Sequence, residues 1–137
     1  MGDVYYSCLS SLRMEERLHI LHIDDDPLFR RALRRVLERK GYMVTEASHG
    51  EEGFRRAHGD RPDLVVLDIR MPIQDGFETL RQLQEHEYTQ GIPVVMCSSL
   101  GTKEDIAFCL RSGARGYLIK THHHPEEMVC YLERFLA

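Results

Sequence analysis

Short apolar runs alternate along this chain with stretches in which apolar residues recur every three or four positions. LHILHI at 18–23, YMVTEA at 42–47, DLVVLD at 63–68, IPVVMCSS at 92–99 and GYLIK at 116–120 have the length and apolar density of strands. The third run is apolar without alternation, the pattern of a strand covered on both faces of a parallel sheet. Helical stretches separate them. Asp26 before Pro27 starts the first, because aspartate accepts orphan amide protons and proline fits the first helical position. Leu28, Ala32, Leu33, Val36 and Leu37 form its inward face, basic residues the other, and Gly41 closes it after Lys40. The pattern predicts further helices over 50–60, from Gly76 to His86 with Phe77, Leu80 and Leu83 inward, from a Thr102/Asp105 capping pair to Gly113, and from Pro125 to Leu136.

Strands and helices in strict alternation predict an α/β fold, a doubly wound five-stranded parallel sheet with right-handed crossovers and helices on both faces. Residues 1–16 show no clear period and read as a poorly ordered extension, leaving 17–137 as the domain. A length of 137 residues allows one core and little more. Eighteen Lys and Arg against 22 Asp and Glu give a net charge of −4, too acidic overall for electrostatics to hold nucleic acid or an anionic membrane. No apolar run approaches a membrane span and the start lacks a leader pattern, so a cytoplasmic location is expected. Cys8, Cys97, Cys109 and Cys130 form no CxxC pair and read as reduced packing residues.

In doubly wound folds the working groups gather at the carboxyl ends of the strands. Here those positions are Asp24 and Asp25 after the first run, Asp68 after the third, Ser98 after the fourth and Lys120 after the fifth. Two carboxylates about 5 Å apart repel by roughly 3 kcal/mol at an effective dielectric of 20, so such a rim requires positive charge. Lys120 supplies one; an all-oxygen remainder suits a hard divalent cation, above all Mg²⁺. Cation, ammonium and hydroxyl together suit a phosphoryl group, and a central carboxylate, best placed at Asp68, can be its nucleophile.

IDDDP at 23–27, LVVLDIRMPIQDG at 64–76, PVVMCSS at 93–99 and GARGYLIK at 113–120 stand in the order and spacing of receiver domains of two-component response regulators, a CheY-like, flavodoxin-like family that the chain resembles from 18 to about 136. The resemblance implies the strand order 2-1-3-4-5. It implies Asp68 as phosphoacceptor from a sensor histidine kinase or histidine phosphotransfer protein, and Mg²⁺ held by Asp25 directly, Asp24 through water, Asp68 and the backbone carbonyl of Arg70. It further implies Ser98 and Lys120 as phosphoryl-sensing groups, Tyr117 as an aromatic that swings inward with Ser98, and readout through the fourth helix, fifth strand and fifth helix. Such a chain is a signalling domain, at most catalysing its own phosphorylation and dephosphorylation. Threonine follows Lys120 where the family has proline in a cis peptide, and arginine at position 70 is uncommon.

Bland readings stand beside these. Asp24 and Asp25 can be a capping turn, Lys120 a solvated lysine, Ser98 a turn residue and Tyr117 a static core aromatic. His122, His123 and His124 point in different directions and read as an exposed loop; His19 and His22 fall on opposite faces of the first strand and read as packing or hydrogen-bonding groups. Arg30, Arg31, Arg34 and Arg35 form a solvated face or a partner surface. An aspartate-nucleophile phosphatase lacks support, since Arg70 occupies the place of its general acid. A flavin binder lacks a phosphate loop. The alternative that remains is a non-phosphorylated receiver-like interaction module. The output, the pairing of two copies, and whether this is a stand-alone receiver or a piece of a larger regulator stay open.

Overall fold

The computed structural model describes residues 17–99 and 101–136. The expected extension over 1–16, and Cys8 within it, lie outside the described residues. The elements follow the apolar pattern: β1 (His19–Ile23), α1 (Pro27–Arg39), β2 (Met43–Ala47), α2 (Gly50–Asp60), β3 (Leu64–Leu67), α3 (Gly76–Glu85), β4 (Val94–Ser98), α4 (Lys103–Arg111), β5 (Gly116–Ile119) and α5 (Pro125–Leu132). Single 3-10 turns cover Lys120–His122 and Glu133–Phe135. Every strand pairing is parallel, in the order β2-β1-β3-β4-β5, as expected.

The period-two pleat divides the core in two. Ile20, Leu64, Val66, Val95 and Leu118 pack with Leu33 and Leu37 of α1 and Val129 and Leu132 of α5. Leu21, Ile23, Val65, Leu67 and Met96 point the other way, against Ala57 of α2, Leu80 and Leu83 of α3 and Cys109 of α4. Each fully buried aliphatic side chain contributes about 1.5–3 kcal/mol. The same pleat separates the two histidines. Nε2 of His19 is 2.8 Å from Oγ1 of Thr45, whereas His22 lies on the α1/α5 side.

Helix ends follow their local chemistry. Asp26 Oδ1 accepts the amides of Leu28 and Phe29 at 3.0 and 3.3 Å, so the capping role falls to Asp26 and leaves Asp24 and Asp25 for other work. Thr102 Oγ1 accepts the Asp105 amide at 3.0 Å. Three expectations need correction. Leu28 is 73% exposed, because its neighbour Phe29 takes the inward place in the first turn of α1, packed against His22 and the core. Cys130 is exposed rather than packed, being turned a further 100° around the helix from buried Val129. The last helix ends at Leu132 and tightens into its 3-10 turn instead of running to Leu136.

Candidate functional site

Register builds the site. Ile23 pairs with Leu67 in adjacent parallel strands, and the Asp68 amide donates to the Ile23 carbonyl at 2.9 Å. The next residues on β1 and β3, Asp24 and Asp68, are thereby brought to the same level of the rim. Asp24, Asp25 and Asp68 each offer an oxygen, and these oxygens all lie within 4.8 Å of one another. Asp24 is 0% exposed, Asp68 is buried, and Asp25 is exposed.

Each buried acid is held by named donors. Oδ1 of Asp24 accepts the Asp26 amide at 2.9 Å, and its Oδ2 accepts from Lys120 Nζ at 2.5 Å. Oδ1 of Asp68 accepts the Ile69 amide at 2.8 Å, and its Oδ2 stands 3.5 Å from the same ammonium. Arg30 donates to the Asp24 carbonyl at 2.5 Å and to Glu46 Oε1 at 3.0 Å, tying α1 to the end of β1 and to β2. Lys120 occupies the 3-10 turn just past β5, and its peptide to Thr121 is trans.

The charges reinforce this geometry. Burial pushes the Asp68 carboxyl up to about 6, the Asp24 charge adds to the rise, and Lys120 partly opposes it. Burial draws the Lys120 ammonium down, but the Asp24 hydrogen bond and the charges of Asp24 and Asp68 more than offset this and hold it above its ordinary value. Asp68 is thus short of positive charge, with Lys120 committed first to Asp24. Three convergent carboxylate groups made only of oxygen donors, one of them exposed, fit a hard divalent ion that keeps several waters.

A cavity of about 800 Å³ opens onto Asp25 and runs past Arg70, Met71 and Phe77 to Ser98 and Asp105. Arg70 is exposed at its edge. Ser98, buried at the end of β4, is hydrogen-bonded to the Tyr117 hydroxyl. Tyr117 is half-buried against the α2/α3/α4 side of the core, and burial raises its phenol pKa. His122, His123 and His124 are exposed.

Two neighbours of the site were not assigned to it by the sequence pattern, which leaves Phe29 unnamed and gives His22 only as a packing or hydrogen-bonding group. Lys120 Nζ lies 4.4 Å from the ring centroid of Phe29, and Nε2 of His22 lies 3.8 Å from Oδ2 of Asp24. The strand parity of His22 pointed to the correct face; that Phe29 links it to Lys120 required the packed helix.

The chain from residue 20 to 133 matches the model of the response regulator receiver domain. Chemotaxis protein CheY of Halobacterium salinarum is 35% identical over 109 residues, covering 80% of this chain and 89% of that protein. The nitrate/nitrite response regulator protein NarL of Escherichia coli is 36% identical over 125 residues, 90% of this chain, which spans 56% of NarL. The solved structure of chemotaxis protein CheY4 of Vibrio cholerae superposes with a TM-score of 0.81 at 28% identity, over 88% of this chain and 99% of that one. Among the described residues no helix is long and apolar enough to cross a membrane. With its strand order, its rim of acids and these similarities together, the chain belongs to the response regulator receiver domain family of two-component systems.

Proposed function

We propose that this chain is a cytoplasmic phosphoacceptor module: Asp68 takes a phosphoryl group from a phosphohistidine on a sensor kinase or phosphotransfer protein and relays the event through α4, β5 and α5. The observation that carries this reading is the convergence of Asp24, Asp25 and Asp68 at the strand ends, with the Lys120 ammonium between Asp24 and Asp68. Asp25, Asp24, Asp68 and the carbonyl of Arg70 would hold Mg²⁺. When bound, that ion neutralises phosphoryl oxygens and lowers the repulsion between incoming phosphate and carboxylates.

The chain's own groups do the rest. An Asp68 oxygen attacks phosphorus in line; the O–P bond forms as the P–N bond to the donor imidazole breaks, and the bonding pair leaves with that nitrogen. Lys120, 3.5 Å from Asp68, swings from Asp24 to a phosphoryl oxygen. The Ser98 hydroxyl turns from Tyr117 toward another, and Tyr117 repacks, which carries the signal to β5 and its neighbouring helices.

Incubation with acetyl phosphate and Mg²⁺ should add the mass of one phosphoryl group, and Asp68→Asn should abolish the addition. A wild-type chain that takes up neither acetyl phosphate nor beryllofluoride would instead make it a partner-binding module without phosphotransfer.

A further inference from the structure

His22 is 1% exposed, and neither of its ring nitrogens has a hydrogen-bond partner among the described residues. Buried polar side chains are nearly always hydrogen-bonded, and an unmet one weakens the fold, so an orphan imidazole calls for a compensating use. Its position supplies one. The ring stands edge-on to Phe29, with centroids 5.5 Å apart and planes at 71°. The face of Phe29 carries Lys120 Nζ at 4.4 Å. Nε2 of His22 is 3.8 Å from Oδ2 of Asp24, the oxygen that Lys120 holds at 2.5 Å. One acceptor therefore has one donor bonded and a second just out of reach, both steadied by a single aromatic ring. Enclosed in the core beside an ammonium, the ring offers an N–H that nothing in the ligand-free fold accepts.

We propose that His22 is a positioning residue for the phosphorylated state: when Lys120 leaves Oδ2 of Asp24 for a phosphoryl oxygen on Asp68, the Nε2–H of His22 closes the 3.8 Å gap and becomes the donor to that oxygen. Asp24 is 0% exposed, so bulk water is poorly placed to replace the departing ammonium, and Oδ2 needs a donor beside the ion and its own waters at the rim. A donor already waiting in the core keeps the carboxylate aimed at the rim while the negative charge of the site grows. The ligand-free fold leaves Nε2 of His22 unpaired; the loaded fold pairs it. This inference rests on the phosphoacceptor reading above.

Three preparations of the full chain test it, with beryllofluoride and Mg²⁺ as the probe. His22→Leu removes the donor and leaves an apolar side chain of similar size; His22→Gln retains an N–H. The ligand-free His22→Leu chain should melt at or above the wild-type temperature, yet bind beryllofluoride about tenfold more weakly, and His22→Gln should recover most of that loss. In nitrogen-15 spectra of the wild type, the His22 Nε2–H resonance should move downfield on loading. Equal affinity of the wild type and His22→Leu, or an unmoved Nε2–H resonance in a chain shown to be loaded, overturns the role of His22 and leaves Asp68 as acceptor. A ligand-free His22→Leu chain that melts well below the wild type also overturns it, since the ring is then ordinary packing. Failure of the wild type itself to bind the probe overturns the phosphoacceptor reading, and the proposal with it.

Discussion

Lys120 donates to Oδ2 of Asp24 at 2.5 Å across 96 positions of the chain, joining the end of β5 to the end of β1. Asp24 is fully buried and the lysine side chain is only 14% exposed, so this pair differs from the surface ion pairs that contribute little. Removing one member of a buried pair leaves the other charge uncompensated, at a cost of about 3 kcal/mol or more. Lys120→Met should lower the Mg²⁺-free unfolding free energy by that order and abolish acetyl phosphate labelling. Added Mg²⁺ should restore part of the stability, because it supplies positive charge to the same carboxylates. Denaturant titrations with and without Mg²⁺ measure both effects.

The raised Asp68 carboxyl gives a second expectation, of definite sign. Its folded value of about 6 lies above the unfolded value of 3.8, so the folded chain holds the proton more tightly. The associated stability is present below the unfolded value and is lost as pH rises through about 6. Asp68→Asn removes this titration while keeping size and shape. The variant should therefore gain on the wild type in Mg²⁺-free buffer as pH rises from about 4 to 7, by up to roughly 3 kcal/mol. Taking the difference between the two chains cancels the titrations of groups that do not feel Asp68, His22 among them. A difference that is flat with pH would show that Asp68 is not held against its charge.

Most of the fold was legible because strand and helix periods are local. The α2 bounds match the helix expected over 50–60, all five strands fall within the apolar runs of the sequence, and the strand-end rule brought Asp24, Asp68, Ser98 and Lys120 to one rim. What periodicity could not supply is where an element stands relative to its neighbours. Leu28 has the helical spacing of a core residue, yet Phe29 beside it takes the inward place of that turn. Cys130 is apolar enough to pack but lies one residue off the buried stripe of α5. Phe29 and His22 become neighbours of the site only through the seating of α1 on β1, a tertiary relation with no period of its own.

Ile73 carries backbone strain beside this rim. Its φ is +68°, a left-handed value for a β-branched residue, and the Gln74 amide donates to the Pro72 carbonyl at 2.7 Å around it, forming a tight γ-turn. The side chain is 74% exposed, so little burial opposes the strain. Ile73→Gly should stabilise the chain by about 1 kcal/mol, the left-handed penalty less the greater unfolded-state freedom of glycine. A thermal melt showing destabilisation would mean that the exposed isoleucine packs against something the loop conceals.

Gly76 sets the distance between the phosphoacceptor and α3. A Cβ there would come within 2.1 Å of the Asp68 carbonyl oxygen and 2.7 Å of the Ile69 Cα, both backbone atoms that no rotamer change can move aside. The Gly76 amide also donates to the Ile69 carbonyl at 2.7 Å, so the first turn of α3 is clamped to the loop that carries Asp68. Gly76→Ala must push the two apart, at a cost of about 2 kcal/mol or more, and should weaken Mg²⁺ binding by displacing Asp68. Gly59→Ala is the matched control, since its Cβ meets nothing within 4 Å in α2. It should leave Mg²⁺ affinity unchanged and raise stability by up to about 1 kcal/mol through helix propensity alone. Mg²⁺ titrations of the two alanine variants, followed alongside their melts, separate a general intolerance of added side chains from the specific contact at Asp68.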